Sequence, residues 1–536
     1  MTATSAPPAP GDARIPASAT VLAAWLGLGA LAVVLAVAPS PLFDLDRFAV
    51  PKELVLNVTA LGAAVLLAAT GAGQAPLVAT EVTLFAYAGW SGLSALLATN
   101  HWLSLRALAV SVAGVVVFRA ARRVAAEGAR AVLLGGLAIA VVAAALTGLA
   151  QAYGADVPLF AGSRAPGGSF GNRNFLAHVM AIGAPLLVLH LLHARGPSRV
   201  TLAAAGLGLV AAVVVLTRSR AAWLALGTSG AVMVGAWLIA RPGRPGLSPP
   251  GRWRRAGAAV VLGIAAALFL PNRLDWRSKS PYRDTMLDLA NYQEGSGRGR
   301  LIQYQNTLRL ATLDPVFGTG PGNWPVKYPL VSTPGDPSVA GMDPMPTNPW
   351  PSSDWVALVA ERGAVGALLL LVTFAGMGIT ALRRLRSEDS GEARRAVALL
   401  GLISATLVAG AFDAVLLLAP PTLVVWTAAG LLLPATGTAA TLSSSGRRRL
   451  VLGVLVFCLA VAVRSAGQLA AIVIAGPGWP VTRLEQAVRY DPGSYRLHLM
   501  IAQRTVCARA RPHARAAARL FPALPAPRRR LEACRG

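Results

Sequence analysis

The sequence predicts an all-α polytopic integral membrane protein with about 12–13 transmembrane helices and a large loop on the outer side. Three observations predict it. The 536 residues are 55% hydrophobic and only 13% charged, with a mean hydropathy of +0.56, a balance too apolar for one soluble core. Apolar runs such as Val21 to Val37, Val132 to Leu149 and Leu202 to Leu216 recur along most of the chain, each near the length that crosses a bilayer core as a helix. Short arginine-bearing links separate them, a rhythm of membrane helices and not of the alternating segments of a β-barrel.

The formal net charge of +26 suggests nucleic acid until the cations are placed along the chain. Arg119, Arg122, Arg123 and Arg130 form one cluster, and Arg241, Arg244, Arg252, Arg254 and Arg255 a second. A third gathers Arg383, Arg384, Arg386, Arg394 and Arg395, and a fourth Arg447 to Arg449. All four lie an even number of spans apart, as the positive-inside rule requires of cytoplasmic links. The charge is therefore topological, and no nucleic-acid partner is expected.

Residues 1–20 are rich in Pro and Ala and have one cation, Arg14, so they read as a disordered segment without the charged n-region of a cleavable signal. Residues 21–271 hold helices 1–9, with spans near 21–39, 53–72, 78–98, 103–118, 130–152, 174–194, 200–217, 221–240 and 256–271. Residues 272–352 form the large outer loop, far longer than an ordinary connection. Within it RLIQYQNTLRLATL sets Leu301, Tyr304, Leu308 and Ala311 on one stripe and Arg300, Gln303 and Asn306 away from it, the pattern of an amphipathic helix on a membrane face. Residues 353–476 hold helices 10–13, with spans near 355–382, 396–413, 416–436 and 450–475. Thirteen spans put the tail outside and twelve put it in the cytoplasm; the weakest pair surrounds Asp413. The tail, 477–536, alternates short helices with turns and is similar to a tetratricopeptide repeat, with room for little more than one and a half units of about 34 residues, or else is a plain helical tail. Of three cysteines, Cys458 falls in an apolar run, while Cys507 and Cys534 either pair or remain free thiols.

Chemistry is carried by a few ionisable groups. GTGPGNW at 318–324 lacks the preceding strand and lysine of a phosphate loop and reads as a turn. No cluster suits zinc or magnesium, and no haem or flavin signature is present, so no cofactor and no metal are expected. Inside the apolar runs Asp413 and Arg464 are costly unless each faces protein or water. Either they pair, or Asp413 orients a site arginine, or it belongs to a structural turn between two spans. Glu361 shares a helical face with Asp354.

Three motifs in this order resemble the O-antigen ligase and polymerase superfamily of membrane glycan transferases: GGSFGNRNFLAH at 167–178, LTRSRAAWLAL at 216–226, and GRGRLIQYQNTLRLATLDPVFGTGPGNW at 297–324. FAVPKELVL at 48–56 and DWVALVAERGAVG at 354–366 extend the resemblance over about residues 40–440. It implies a bacterial inner-membrane enzyme that moves a glycan from a polyprenyl diphosphate to an acceptor hydroxyl of a glycan, lipid or protein, on the periplasmic face and without a metal. Negative charge develops on the diphosphate as it leaves, and guanidinium groups meet it with a planar, permanently charged fork. Arg220 and Arg300 are placed in that role, with Arg218, Arg173 and Tyr304 beside them as substrate-binding residues. The plainer readings are an interface anchor for Arg220 and a solvated helix face for Arg300.

The family's general-base histidine has no counterpart. Gly363 and Gly366 align with its Gly-x-x-Gly and Ser353 with its polar position, so the histidine's slot falls on Ser352, and a serine hydroxyl does not take a proton unaided near neutral pH. Three readings follow: Asp354 replaces it; His178 or His101 supplies an imidazole from another loop; or the chain is a non-catalytic homologue that acts as scaffold or partner in polysaccharide assembly or export. Asp354 is equally a first-turn residue complementing a helix dipole, and His178 a packed polar residue.

Overall fold

The structure, a computed structural model, describes residues 15–39, 46–70, 77–155, 157–161, 163–240, 250–276, 278–287, 295–340, 345–434, 443–476 and 478–535. Most of the proposed N-terminal segment, together with Arg241 and Arg244, lies outside them. Each of the thirteen apolar runs is helical: α1 (Ala17–Leu35), α2 (Asp46–Ala69), α3 (Ala79–Leu96), α4 (His101–Ala126), α5 (Arg130–Ala152), α6 (Arg173–His193), α7 (Pro197–Thr217), α8 (Arg220–Ala240) and α9 (Pro250–Phe269), then, beyond the large loop, α13 (Asp354–Arg384), α14 (Ser390–Phe412), α15 (Ala419–Leu432) and α16 (Ser444–Ala475). Among the described residues ten are long and apolar enough to cross a membrane. The other three depart for evident reasons: α3 carries Glu81 and several hydroxyls, α9 opens with Arg252, Arg254 and Arg255, and α15 has 14 residues.

Alanine and glycine dominate the buried faces, because lipid drives helices together weakly and close packing between small residues must do the work. At the α7–α9 crossing a Cβ on Gly263 would sit 2.1 Å from the Gly208 carbonyl oxygen. The arginine-rich links converge at one end, where Arg252 reaches the Leu191 and Leu192 carbonyls, Arg394 reaches that of Leu192, and Arg384 pairs with Glu392 at 2.6 Å.

The large loop and the tail share the opposite end. The loop holds α10 (Pro281–Leu287), α11 (Gly295–Ala311), α12 (Trp324–Lys327) and a short antiparallel pair, β1 (Val339–Ala340) with β2 (Met345–Pro346). The tail is α17 (Val481–Tyr490), α18 (Tyr495–Arg504), α19 (Cys507–Leu520) and α20 (Ala526–Ala533). Its Tyr495, Phe521 and Leu524 bury against Val326 of the loop, and Asp491 accepts from the Trp102 indole at 2.6 Å. Cys507 and Cys534 form a disulfide.

Loop and bundle are joined by a break in α13. Gly363 takes φ 68° and ψ −176°, a conformation essentially confined to glycine. The carbonyls freed there are taken by the glycine turn: Thr319 N–H donates to Ala360 (2.9 Å) and Gly320 N–H to Glu361 (3.0 Å), while Ala364 N–H returns to Pro315 (2.8 Å). Trp90 and Ser94 of α3 donate to the carbonyls of Arg362 and Glu361 from the other side.

Candidate functional site

Three helices end together beside α11. Asn174 at the start of α6 lies near Asp413 at the end of α14, and Arg394 at the start of α14 near Leu192 at the end of α6, so the two are antiparallel. The two-residue corner between α7 and α8 makes α8 parallel to α6, and Ser229 donates to the Gly401 carbonyl at 2.9 Å. Nine residues earlier, about 13 Å along the axis, Arg220 comes level with Gly410. Arg173, Arg218, Arg220 and Arg300 therefore all stand at the loop-bearing end.

Arg300 projects from α11 to within 3.9 Å of the Asp413 carboxylate, which also takes a long 3.4 Å contact from the Asn174 amide. That separation is ion-pair distance beyond hydrogen-bond reach, leaving the guanidinium fork directed but uncommitted. Asp413, at the turn after α14, stands beside Arg300 and not Arg464, which instead bonds to Gln468 and to the Trp102 carbonyl.

Around Trp276 the packing is cationic. Arg173 and Arg218 each lie over its ring, both with the guanidinium carbon 4.9 Å from the centroid, a geometry in which the ring's negative face holds each charge in place. Arg218 caps α7 in a left-handed conformation (φ 52°) and donates to Thr285 of α10 at 2.8 Å. Arg173 Nε is buried with no hydrogen-bond partner among the described residues. Burial pushes the neighbouring Tyr282 phenol up, so it stays a neutral donor.

On α11, one face carries Arg300, Gln303 and Tyr304 toward the helix ends. The Tyr304 hydroxyl reaches the carbonyls of Ser352 (2.6 Å) and Ala411 (3.0 Å), and Gln303 accepts from the Ser352 N–H at 2.6 Å. The apolar stripe expected for this helix is divided: Leu301 and Leu308 are exposed, while Gln303, Asn306, Thr307 and Leu310 are buried. The polar groups win burial because each has a partner. Asn306 donates to Asp336 at 2.8 Å, and the Trp324 indole donates to Thr307 at 3.0 Å.

The candidate bases differ sharply in their surroundings. Asp354 is 3% exposed, and its two oxygens accept the N–H groups of Val415 (2.9 Å) and Leu416 (2.8 Å), pinning the turn between α14 and α15. Ser352 engages α11 through its backbone. His178, one helical turn beyond Asn174 on the same face of α6, is 1% exposed with neither ring nitrogen hydrogen-bonded among the described residues. It lies within electrostatic reach of both Asp413 and Arg300. His101 is exposed, with its ring at the Leu96 carbonyl.

Sequence reasoning missed Trp276, which no motif marked, and gave Asn174 no role although the quoted GNRNF motif contains it. Among the described residues no group of three metal-ligating side chains is present.

A family model described as O-antigen ligase matches residues 205–371, from within α7 to the middle of α13. It takes in Arg218, Arg220, the large loop and the Gly363 break, and stops short of Asp413. No curated protein matches the chain. The match supports a membrane glycosyltransferase of the ligase or polymerase kind in general, with a lipid-linked glycan and an acceptor as partners. Over residues 205–371 this all-α polytopic chain is similar to the O-antigen ligase family.

Proposed function

We propose that this protein transfers a glycan from a polyprenyl diphosphate to an acceptor hydroxyl on the periplasmic face of a bacterial inner membrane, its arginines holding the diphosphate. The observation that carries the reading is the convergence, at one end of the bundle, of Arg300 from the loop with Arg173, Arg218 and Arg220 from the ends of α6, α7 and α8. One carboxylate, Asp413, stands beside Arg300 at 3.9 Å. An excess of guanidinium over carboxylate at a membrane surface suits a ligand that brings its own negative charge. The polyprenyl chain remains in the bilayer.

In this mechanism Arg220 and Arg300 bind the two phosphates and stabilise the charge that develops as the sugar–phosphate bond breaks. Arg173 and Arg218, each held over the Trp276 ring, add field without having to reorganise. Tyr304 holds α11 to the 352 and 411 carbonyls and so positions Arg300. His178 is the proton acceptor the geometry favours, since a buried imidazole without hydrogen-bond partners needs an explanation that packing alone does not supply. Asp354 is a clamp on the 413–416 turn, and Ser352 a backbone anchor for α11. The acceptor oxygen attacks the anomeric carbon opposite the departing diphosphate, with inversion, and its proton passes to His178 directly or through one water.

The test is glycan transfer by the purified chain, measured with a lipid-linked donor from its host. Arg220→Ala and Arg300→Ala are each expected to lower kcat by about 100-fold or more, as losing one preorganised charge-stabilising group does; an active parent indifferent to both substitutions overturns the mechanism. The scaffold reading, favoured by Ser352 in the histidine slot, predicts no transfer by the parent and none gained by Ser352→His.

A further inference from the structure

The described residues enclose a second polar space, distinct from the arginine cluster. A cavity of about 150 Å³ lies where α2, α4 and α16 meet the large loop and the tail. Its walls include Trp102, Trp350 and Tyr495, each from a different part of the chain: a membrane helix, the loop and the tail. Four guanidinium groups and four carboxylates line it: Arg106, Arg362, Arg464 and Arg496 against Asp46, Glu53, Glu361 and Asp491. Most of this charge is satisfied internally. Arg106 makes a forked pair with Glu53 at 2.7 and 2.9 Å, Arg362 meets Glu361 at 3.3 Å, and Asp491 accepts from the Trp102 indole at 2.6 Å.

Such a wall does not suit a diphosphate. With guanidinium groups and carboxylates equal in number, an anion entering it meets no excess of positive charge, unlike at the arginine cluster. A neutral molecule dense in hydroxyl groups meets fixed acceptors, fixed donors and flat aromatic faces, the usual composition of a small-molecule site. Arg464, 6% exposed, has its Nε buried with no hydrogen-bond partner among the described residues, while its guanidinium lies 4.7 Å over Trp102. The volume amounts to roughly five waters' share of liquid, room for one sugar ring.

The position relates the two sites. Leu416 and Leu417 line the cavity, in the same turn that presents Asp413 to Arg300 and is clamped by Asp354. Trp350, on the cavity wall, packs edge-on against Phe175, next to Asn174. The cavity thus lies across one turn from the arginines, and the tail supplies part of its wall through Asp491 and Tyr495.

We infer that this cavity binds a neutral saccharide, the end of the acceptor glycan, and that the C-terminal tail is there to complete it. As the acceptor's site the inference rests on the transferase reading; as a saccharide site it stands on the cavity alone, and the experiment separates the two. The full chain in lipid nanodiscs is applied to a printed array of neutral and acidic bacterial oligosaccharides, a measurement that needs no turnover. Retention on neutral glycans is expected. Asp491→Asn keeps an acceptor for the Trp102 indole but turns the other oxygen into a donor, and Trp350→Ala removes an aromatic wall from the loop without touching the tail. Each is expected to weaken retention at least tenfold at an unchanged Tm. Retention on no glycan, retention on acidic glycans only, or variants that both bind as the parent does would overturn the inference. Binding without transfer activity would sink the transferase reading and leave the saccharide site standing; transfer with an unchanged acceptor KM in both variants would do the reverse.

Discussion

Replacing Asp354 separates a catalytic carboxylate from a structural one. Its oxygens accept two backbone N–H groups at 2.9 and 2.8 Å, and the side chain is 3% exposed, so Asp354→Ala strands two buried donors in the turn that carries Asp413. At about 1–3 kcal/mol for each of the two unsatisfied buried donors, the variant should lose about 2–6 kcal/mol of local stability. Asp354→Asn retains one acceptor and sets an amide N–H against the second donor, and should lose about half as much. Both variants should show a lower Tm in nanodiscs and faster hydrogen exchange at Val415 and Leu416. In glycan transfer Asp354→Asn should retain activity at the level its folded fraction allows, with an unshifted pH profile. A variant that keeps the parent's Tm and exchange but loses transfer outright would refute the clamp and make Asp354 the base.

Gly363→Ala would bring a Cβ to 1.9 Å from the Val316 carbonyl oxygen and force alanine into a glycine conformation. With strain of about 1–3 kcal/mol and loss of the loop's hydrogen bonds to the break, limited proteolysis should cut the large loop in the variant and spare it in the parent. Cys507→Ser opens a disulfide closing 27 residues and should cost the tail about 2–4 kcal/mol, read as a lower urea midpoint for tail proteolysis; an unchanged midpoint contradicts it. Burial holds the His498 and His513 imidazoles, 3.0 Å apart, below the usual histidine value. The folded tail then binds fewer protons than the unfolded one, so its stability is full above about pH 6.5 and falls as pH drops below it. Protection factors against hydrogen exchange in α18 and α19 should therefore fall between about pH 7.5 and about pH 5.5, and equal protection at both would contradict the sign.

Much of the fold was legible because bilayer helices are written in consecutive residues: a twenty-residue apolar run bounded by arginines needs no partner to be recognised. Of the candidate site, Arg220, Arg300 and the GNRNF motif could be picked out as residues. Other features depend on where distant segments meet. The glycine run at 318–322 reads as a turn in isolation; only the Gly363 break, forty residues on, shows that the turn exists to occupy the carbonyls that break releases. The stripe on α11 misled because periodicity weighs apolar against polar and does not know that Gln303 and Asn306 have buried partners waiting in the loop. Trp276 carried no motif, yet it holds two arginines. The side of the tail depended on counting weak spans around Asp413, whereas the Trp102–Asp491 bond fixes it beside the loop.

The central claim is that Arg220 and Arg300 hold one anionic leaving group. Its most direct test is the affinity of the purified chain for a polyprenyl diphosphate without sugar, measured in nanodiscs for the parent, each single alanine variant and the double variant. Shared contact with one diphosphate predicts a weaker Kd for each single variant, by about 1.5–3 kcal/mol as for charged hydrogen bonds, and a double variant departing from additivity because both contacts serve the same group. Full parental affinity in either single variant, or strict additivity of two effects on separate ligands, would contradict it.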